Sequence, residues 1–216
     1  MAARCPRTGD FGVAVATARP AVGALVPWVS RRAAIATQAR VNTDLGRHGL
    51  ALIEQGVPIA TALGALVEAD PERELRQLHG VDERHAFVHT GGRCVAWCGH
   101  VAGDAFTVAG NMLVGGGVLE AMAAAFAARA EDELAARLLA ALEAGQTAGG
   151  DKRGKQSAAL LVAAAGPRGY HNLRVDDHAD PVAELRRIYA VGVAHWNRLA
   201  QEYGLDAQRL FGRIKH

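Results

Sequence analysis

Two periods alternate along this chain. Runs of small apolar residues, or apolar and polar residues in strict alternation, mark strands, whereas apolar positions recurring every three or four residues mark helices. Phe11 to Thr17 is an apolar run of small residues, and Pro6-Arg-Thr-Gly-Asp10 sets it off from Met1 to Cys5. That turn predicts a hairpin with a first strand of about five residues. Residues 19 to 27 contain two prolines and a glycine and read as loop, while Ala33 to Gln38 reads as a short strand with polar groups at its end. A helix through Gln55 follows, with Thr43 or Asp44 as its cap and Gly56 as its stop. Pro58 opens a second helix through Glu68, and the short turn between the two predicts an antiparallel pair.

After Asp70-Pro71 the period returns to two. Residues 76 to 82 and 85 to 90 read as a hairpin turning at Asp82 to Arg84, Arg93 to His100 as a further strand, and Ala105 to Leu113 as another, ending in Gly115 to Gly117. Helical spacing then covers 118 to 129 and 131 to 144. Ala158 to Ala165 is an unbroken apolar run, as expected of a strand covered on both faces. Tyr170 to Val175 alternates, and a long helix begins at Asp180-Pro181 and continues towards Tyr203. Helices in pairs between hairpins do not fit a doubly wound parallel sheet, which alternates strand and helix singly. The order predicts an α+β protein with an antiparallel core and helices on its outer faces.

Composition narrows the classes of function. At 216 residues, with 50% hydrophobic and 21% charged residues, the chain is expected to form a single domain over 1–203 followed by a basic tail over 204–216. The formal net charge of +2 is spread along the sequence and gives no reason to expect a nucleic-acid partner. No apolar run approaches the roughly 20 residues that span a bilayer, so neither a membrane partner nor a secretory leader is expected, and the cytoplasm is the expected compartment. Three cysteines fit a reducing compartment better than a disulfide framework.

Gly149 to Ser157 carries the most suggestive chemistry. Three glycines and the side chains of Asp151, Lys152, Arg153, Lys155, Gln156 and Ser157 crowd the entrance to the buried strand. Amides around such glycines can hold an anion or a carbonyl, and the same stretch can equally be a solvated turn. His178 beside Asp176, Asp177 and Asp180 offers an imidazole next to carboxylates, with capping by Asp180 as the plainer reading. Cys94, Cys98 and His100 fall on one face of the expected strand. Residues four apart on a strand are roughly 13 Å apart, too far for one zinc ion, which favours small buried thiols and no metal. Ser30 and Ser157 are the only serines and neither lies in a nucleophile elbow, while Walker, dinucleotide and His-Glu-x-x-His motifs are absent. No cofactor is expected, and a small-molecule substrate is.

Several stretches taken together resemble the Ntn-hydrolase-like proteins catalogued as domain of unknown function 1028. They are Thr8 to Thr17, Ala21 to Ala24, Ala36-Thr-Gln38, Gly46 with Gly49-Leu50, Asp70-Pro71, Arg76-Gln-Leu78, Gly91 to Cys94, Trp97 to His100, Gly110 to Leu113, Gln156 to Leu160 and Leu173 to Asp176. The resemblance implies a four-layer αββα sandwich of two stacked antiparallel sheets. It also implies an amidohydrolase in which a Thr, Ser or Cys at the mature N-terminus attacks an amide, with its own α-amine as base. Members of that family begin Met-Thr and continue into a full first strand, whereas this chain begins Met1-Ala-Ala-Arg-Cys5. The expectation is therefore a nucleophile carried upstream of Met1 and weak or absent hydrolysis by the chain as numbered. Cys5 is the candidate nucleophile should the first four residues be removed. Substrate contacts are expected from Gln38, Asn111, Gln156, Ser157, Asp176 and His178. The resemblance is compatible with a homo-oligomer. A binding or assembly protein that keeps the fold without its chemistry is the alternative.

Overall fold

The computed structural model describes residues 1–166 and 168–204, so the expected tail lies outside the described residues apart from Gly204. The described chain is mixed α+β, with two antiparallel sheets and five helices. Strands β1 (Ala2–Arg4), β2 (Phe11–Thr17), β3 (Pro27–Val29), β4 (Ala33–Ala39), β5 (Arg76–Asp82) and β6 (Ala86–Thr90) precede β7 (Gly99–Gly103), β8 (Phe106–Gly110), β9 (Ser157–Ala163) and β10 (Asn172–Val175). The helices are α1 (Thr43–Glu54), α2 (Ile59–Ala69), α3 (Gly117–Ala127), α4 (Leu134–Thr147) and α5 (Pro181–Tyr203). One sheet runs β10-β9-β2-β1-β8-β7 and the other β3-β4-β5-β6. No described helix is long and apolar enough to cross a membrane.

Alternation along the strands sorts side chains into three apolar clusters. Phe11, Val13 and Val15 of β2 meet Ala34 and Ala36 of β4 and Val81 of β5, one buried set drawn from both sheets. Ala14 of β2 and Leu160 and Val162 of β9 point the other way and join Leu138, Leu142 and Leu185 of α4 and α5. Ile35 and Leu78 of the second sheet pack with Leu45, Ile53, Ile59 and Leu63 of α1 and α2. A period of two thus gives each sheet two covered faces, and burying each such leucine or isoleucine contributes about 1.5–3 kcal/mol. Gly12 shows how closely α4 lies on β2, since a Cβ there would stand 2.7 Å from Leu138 Cδ1.

Four local features depart from the sequence expectation. Proline 27, expected in a loop, begins an edge strand, a place where its missing N–H costs no ladder bond. The cap of α1 is neither Thr43 nor Asp44: Asn42 Oδ1 accepts from Asp44 N at 3.1 Å. Residues 93 to 98 are not a strand, because Arg93 N donates to Glu74 O and Cys94 N to Gly91 O, which hold the chain as a loop until β7 begins at Gly99. Cys94, Cys98 and His100 accordingly do not share a strand face. Tyr170 falls in a short 3₁₀ turn, Gly169–His171, and the strand begins only at Asn172.

Candidate functional site

The ends of β2, β4 and β8 and the loop before β9 converge on a cavity of about 340 Å³. Its apolar wall includes Val22, Val26, Val118, Leu119 and Met122, and its polar lining includes Gln38, Asn111, Asp151, Arg153 and Lys155. Gly149, Gly150 and Gly154 have φ of 109°, 57° and 111°, a region that residues with a Cβ rarely adopt, so the glycines allow this loop to fold over the cavity mouth.

Met1 stands at the head of the cavity. Its α-amine donates to Ala14 O at 2.8 Å, and Ala14 N donates back to Met1 O at 3.0 Å, so the first residue already occupies a strand-ladder position. Burial lowers this amine from 8.0 to about 5. Beyond it β2 continues through Val15, Ala16 and Thr17, and β8 through Ala109 and Gly110, with no strand between them among the described residues. Each keeps its other edge paired, β2 with β9 and β8 with β7. The cavity therefore includes a strand-shaped slot.

A network of neutral amides forms one wall. Gln77, fully buried on β5, has its Nε2 3.0 Å from Gly99 O and from Gly110 O and 2.9 Å from Thr90 Oγ1, three acceptors that share its two hydrogens. Those carbonyls fix which end of its amide is nitrogen. Gln77 Oε1 then accepts from Gln38 Nε2 at 2.7 Å and Asn111 Nδ2 at 3.2 Å. Gln38 Nε2 also donates to Ala109 O at 3.1 Å. Nearby, His79 Nδ1 lies 2.8 Å from Thr107 Oγ1 and its Nε2 is buried without a partner. Burial, followed by the charge of the Met1 amine, holds this imidazole well below 6.5 and therefore neutral.

At the rim two charge pairs form, while the exposed Arg19, which also lines the cavity, has no carboxylate partner among the described residues. Asp151 receives Arg153 Nε at 2.9 Å and Nη2 at 2.6 Å. Burial works against the Asp151 charge, but the Arg153 hydrogen bonds hold its carboxyl below the usual range. Lys155 Nζ meets Asp180 Oδ2 at 2.9 Å. Of the residues expected from sequence, Gln38 and Asn111 line this cavity together. Gln156, Ser157, Asp176 and His178 do not line it: Gln156 Nε2 donates to Asp177 at 3.1 Å, and Asp176 takes Arg174 at 2.9 Å. His178 Nδ1 accepts from Asp180 N at 2.9 Å. Ser157 is buried, donating to Arg19 O and accepting from Val22 N at 3.1 Å, so it holds the wall containing Val22 in place.

Cys5 lies at the opposite end of β1 from Met1 and lines a separate cavity of about 350 Å³ with Phe106, Phe126 and Arg137. Burial raises its thiol pKa, and hydrogen bonds from Thr8 and Arg7 outweigh that and lower it. Cys94 Sγ donates to Arg76 O at 3.2 Å, and no group of three metal-binding side chains occurs among the described residues. The sequence reading passed over Gln77 and His79. The available signal was their alternation with Val81, which puts two polar residues on the face of β5 that carries a core valine.

A model of a family of unknown function, DUF1028, matches residues 1–185. The chain belongs to that family. The DUF1028 match takes in all ten strands, both cavities and the first turn of α5. The crystal structure of SPO2555 from Silicibacter pomeroyi, itself titled as DUF1028, is similar at a TM-score of 0.81 and 33% identity, over 88% of this chain and 83% of that one. Among curated proteins none matches.

Proposed function

We propose that this DUF1028 chain has the four-layer αββα arrangement of Ntn hydrolases and acts as an amidohydrolase on a small amide, its nucleophile carried on a short segment that precedes Met1. The observation that supports this reading is the slot between β2 and β8. Antiparallel register places Met1 opposite Ala14, so preceding residues would stand opposite Val15, Ala16 and Thr17. A strand continued there would pair on both sides and would turn the buried Met1 amine into an ordinary ladder N–H. Its free end would reach the cavity beside Gln38 and Asn111. An α-amine there, kept out of water, is a base able to take the proton of a neighbouring Thr, Ser or Cys, and donors such as Asn111 Nδ2 suit a developing oxyanion.

The test is to express the chain from the next in-frame start upstream and to screen small acyl amides. Hydrolysis lost on replacing the new first residue after processing by alanine is the expected result. An extended protein that turns over no amide would sink the hydrolase reading. A binding protein of the same fold is the second reading, supported by a cavity wall of neutral amides and apolar side chains that offers a ligand contacts.

A further inference from the structure

The orientation of three side-chain amides restricts what the cavity wall can recognise. Backbone carbonyls of Gly99 and Gly110 fix the nitrogen end of Gln77, and Ala109 O together with Gln77 Oε1 fixes the nitrogen end of Gln38. Gln38 Oε1 is then the end of that amide left without a hydrogen bond among the described residues, and it is an acceptor only. Asn111 uses one Nδ2 hydrogen on Gln77 and keeps the second. Both residues line the cavity, and both converge on the single oxygen of Gln77. A pure acceptor thus lies next to a donor, held by a residue that has no exposure of its own.

We propose that this wall is a carboxamide-recognition subsite, in which a ligand amide donates its N–H to Gln38 Oε1 and accepts Asn111 Nδ2–H at its carbonyl oxygen, with Gln77 as the positioning residue. The inference rests on the amidohydrolase reading above and names its ligand class. A carboxylate of similar shape sets one oxygen against Gln38 Oε1, acceptor against acceptor. An alcohol carries its donor and its acceptor on one oxygen and aligns with the two groups less well than an amide, which presents them on two atoms, and a poorly met buried partner is where polar sites gain their discrimination. The apolar wall of Val22, Val118, Leu119 and Met122 takes the alkyl part of such a ligand. Of the rim cations, Arg153 and Lys155 are already held by Asp151 and Asp180, and the exposed Arg19 is the remaining one, whose pull on a carboxylate the hexanoate measurement weighs.

Dissociation constants of hexanamide, hexanoate and 1-hexanol for the full chain, measured by ligand-observed NMR, test this directly. Hexanamide is expected to bind about tenfold tighter than 1-hexanol, and tighter than hexanoate. Gln77→Met is expected to bring the amide-to-alcohol ratio near one while leaving 1-hexanol binding in place, a split that general loss of structure does not produce. Should that variant fail to fold, Gln38→Met reads the same ratio from the half-buried end of the network. Hexanoate as the tightest ligand overturns the proposal in favour of the rim cations. Equal binding of all three overturns it in favour of the apolar wall alone, and no binding by any of them also overturns it. Amide preference without hydrolysis in the extended protein defeats the catalytic reading only, whereas hydrolysis without amide preference defeats the subsite only.

Discussion

Two partly buried polar networks in this protein solve the same problem in opposite ways. The one around Gln77 is made of neutral amides, spans from β5 to the ends of β7 and β8, and includes Gln38 and Asn111, which line a cavity. The other is built on Glu133 at the start of α4. Its Oε1 accepts from Arg168 and from His171 Nε2 at 2.9 Å, and the hydroxyls of Tyr170 and Tyr189 lie 3.4 Å from its two oxygens. These contacts tie α4 to the 3₁₀ turn and to α5. Burial raises the Glu133 carboxyl, and His171 and Arg168 outweigh that and bring it below 4.5. Burial and the nearby Glu133 charge push Tyr170 up to about 12. The charged network ties three elements together and leaves Arg168 Nε and His171 Nδ1 buried without a partner, while the neutral one includes Gln38 and Asn111, which line a cavity. Neutral amides suit the second task because an unmet amide costs far less than an unmet buried charge.

Acidity separates the two most widely. In the chain as numbered the folded state refuses a proton on Met1 until about pH 5, whereas the unfolded amine takes it near 8.0. Unfolding free energy is therefore expected to fall as pH drops from 8 to 5, by up to about 4 kcal/mol, with buried His79 adding in the same direction below 6.5. The Glu133 tie, whose folded pKa is depressed, keeps its contribution above 4.5 and loses it only on further acidification. Urea unfolding across pH 4 to 9 checks both windows. Converting the Met1 amine to an amide by acetylation or extension should remove the slope between pH 6.5 and 8, and a slope that persists would show that the amine is not its source.

Breaking the charged tie comes next in size. Glu133→Ala leaves Arg168, His171 and two tyrosines without their shared acceptor, and a loss of about 2–3 kcal/mol is expected in chemical unfolding. Ligand preference in the cavity should not move with it. Gln77→Met should cost less, about 1–2 kcal/mol, since its partners are neutral and three of them are at strand ends. Its main effect should be on ligand selectivity, so a variant that loses more stability than Glu133→Ala would reverse the assignment of roles.

Much of the architecture was legible in the order of residues. The apolar run at β9, the alternation of β5 and β6, and the helix pairs announced an antiparallel core with helices on its outer faces, because period and capping are local properties. The edge strand Pro27–Val29 was not legible, since its pairing with β4 supplies what its own three residues do not. The loop over residues 93 to 98 alternates like a strand, yet its partners are Glu74, Gly91 and Met112, which lie elsewhere along the chain.

The candidate site divides in the same manner. Gln38 and Asn111 could be chosen from sequence because each is a polar residue at the end of an apolar strand, and both line the cavity. Gln156, Ser157, Asp176 and His178 met the same description and point to neighbouring partners instead. Sequence alone determined most of the elements, the family and which residues are polar at strand ends. Only the tertiary structure decided that Gln77 sets the direction of the cavity amides, that Met1 and Cys5 face different cavities, and that a strand-shaped slot lies between β2 and β8. Hydrogen-bond direction and an unfilled ladder depend on atoms brought together across both sheets, and no local period records them.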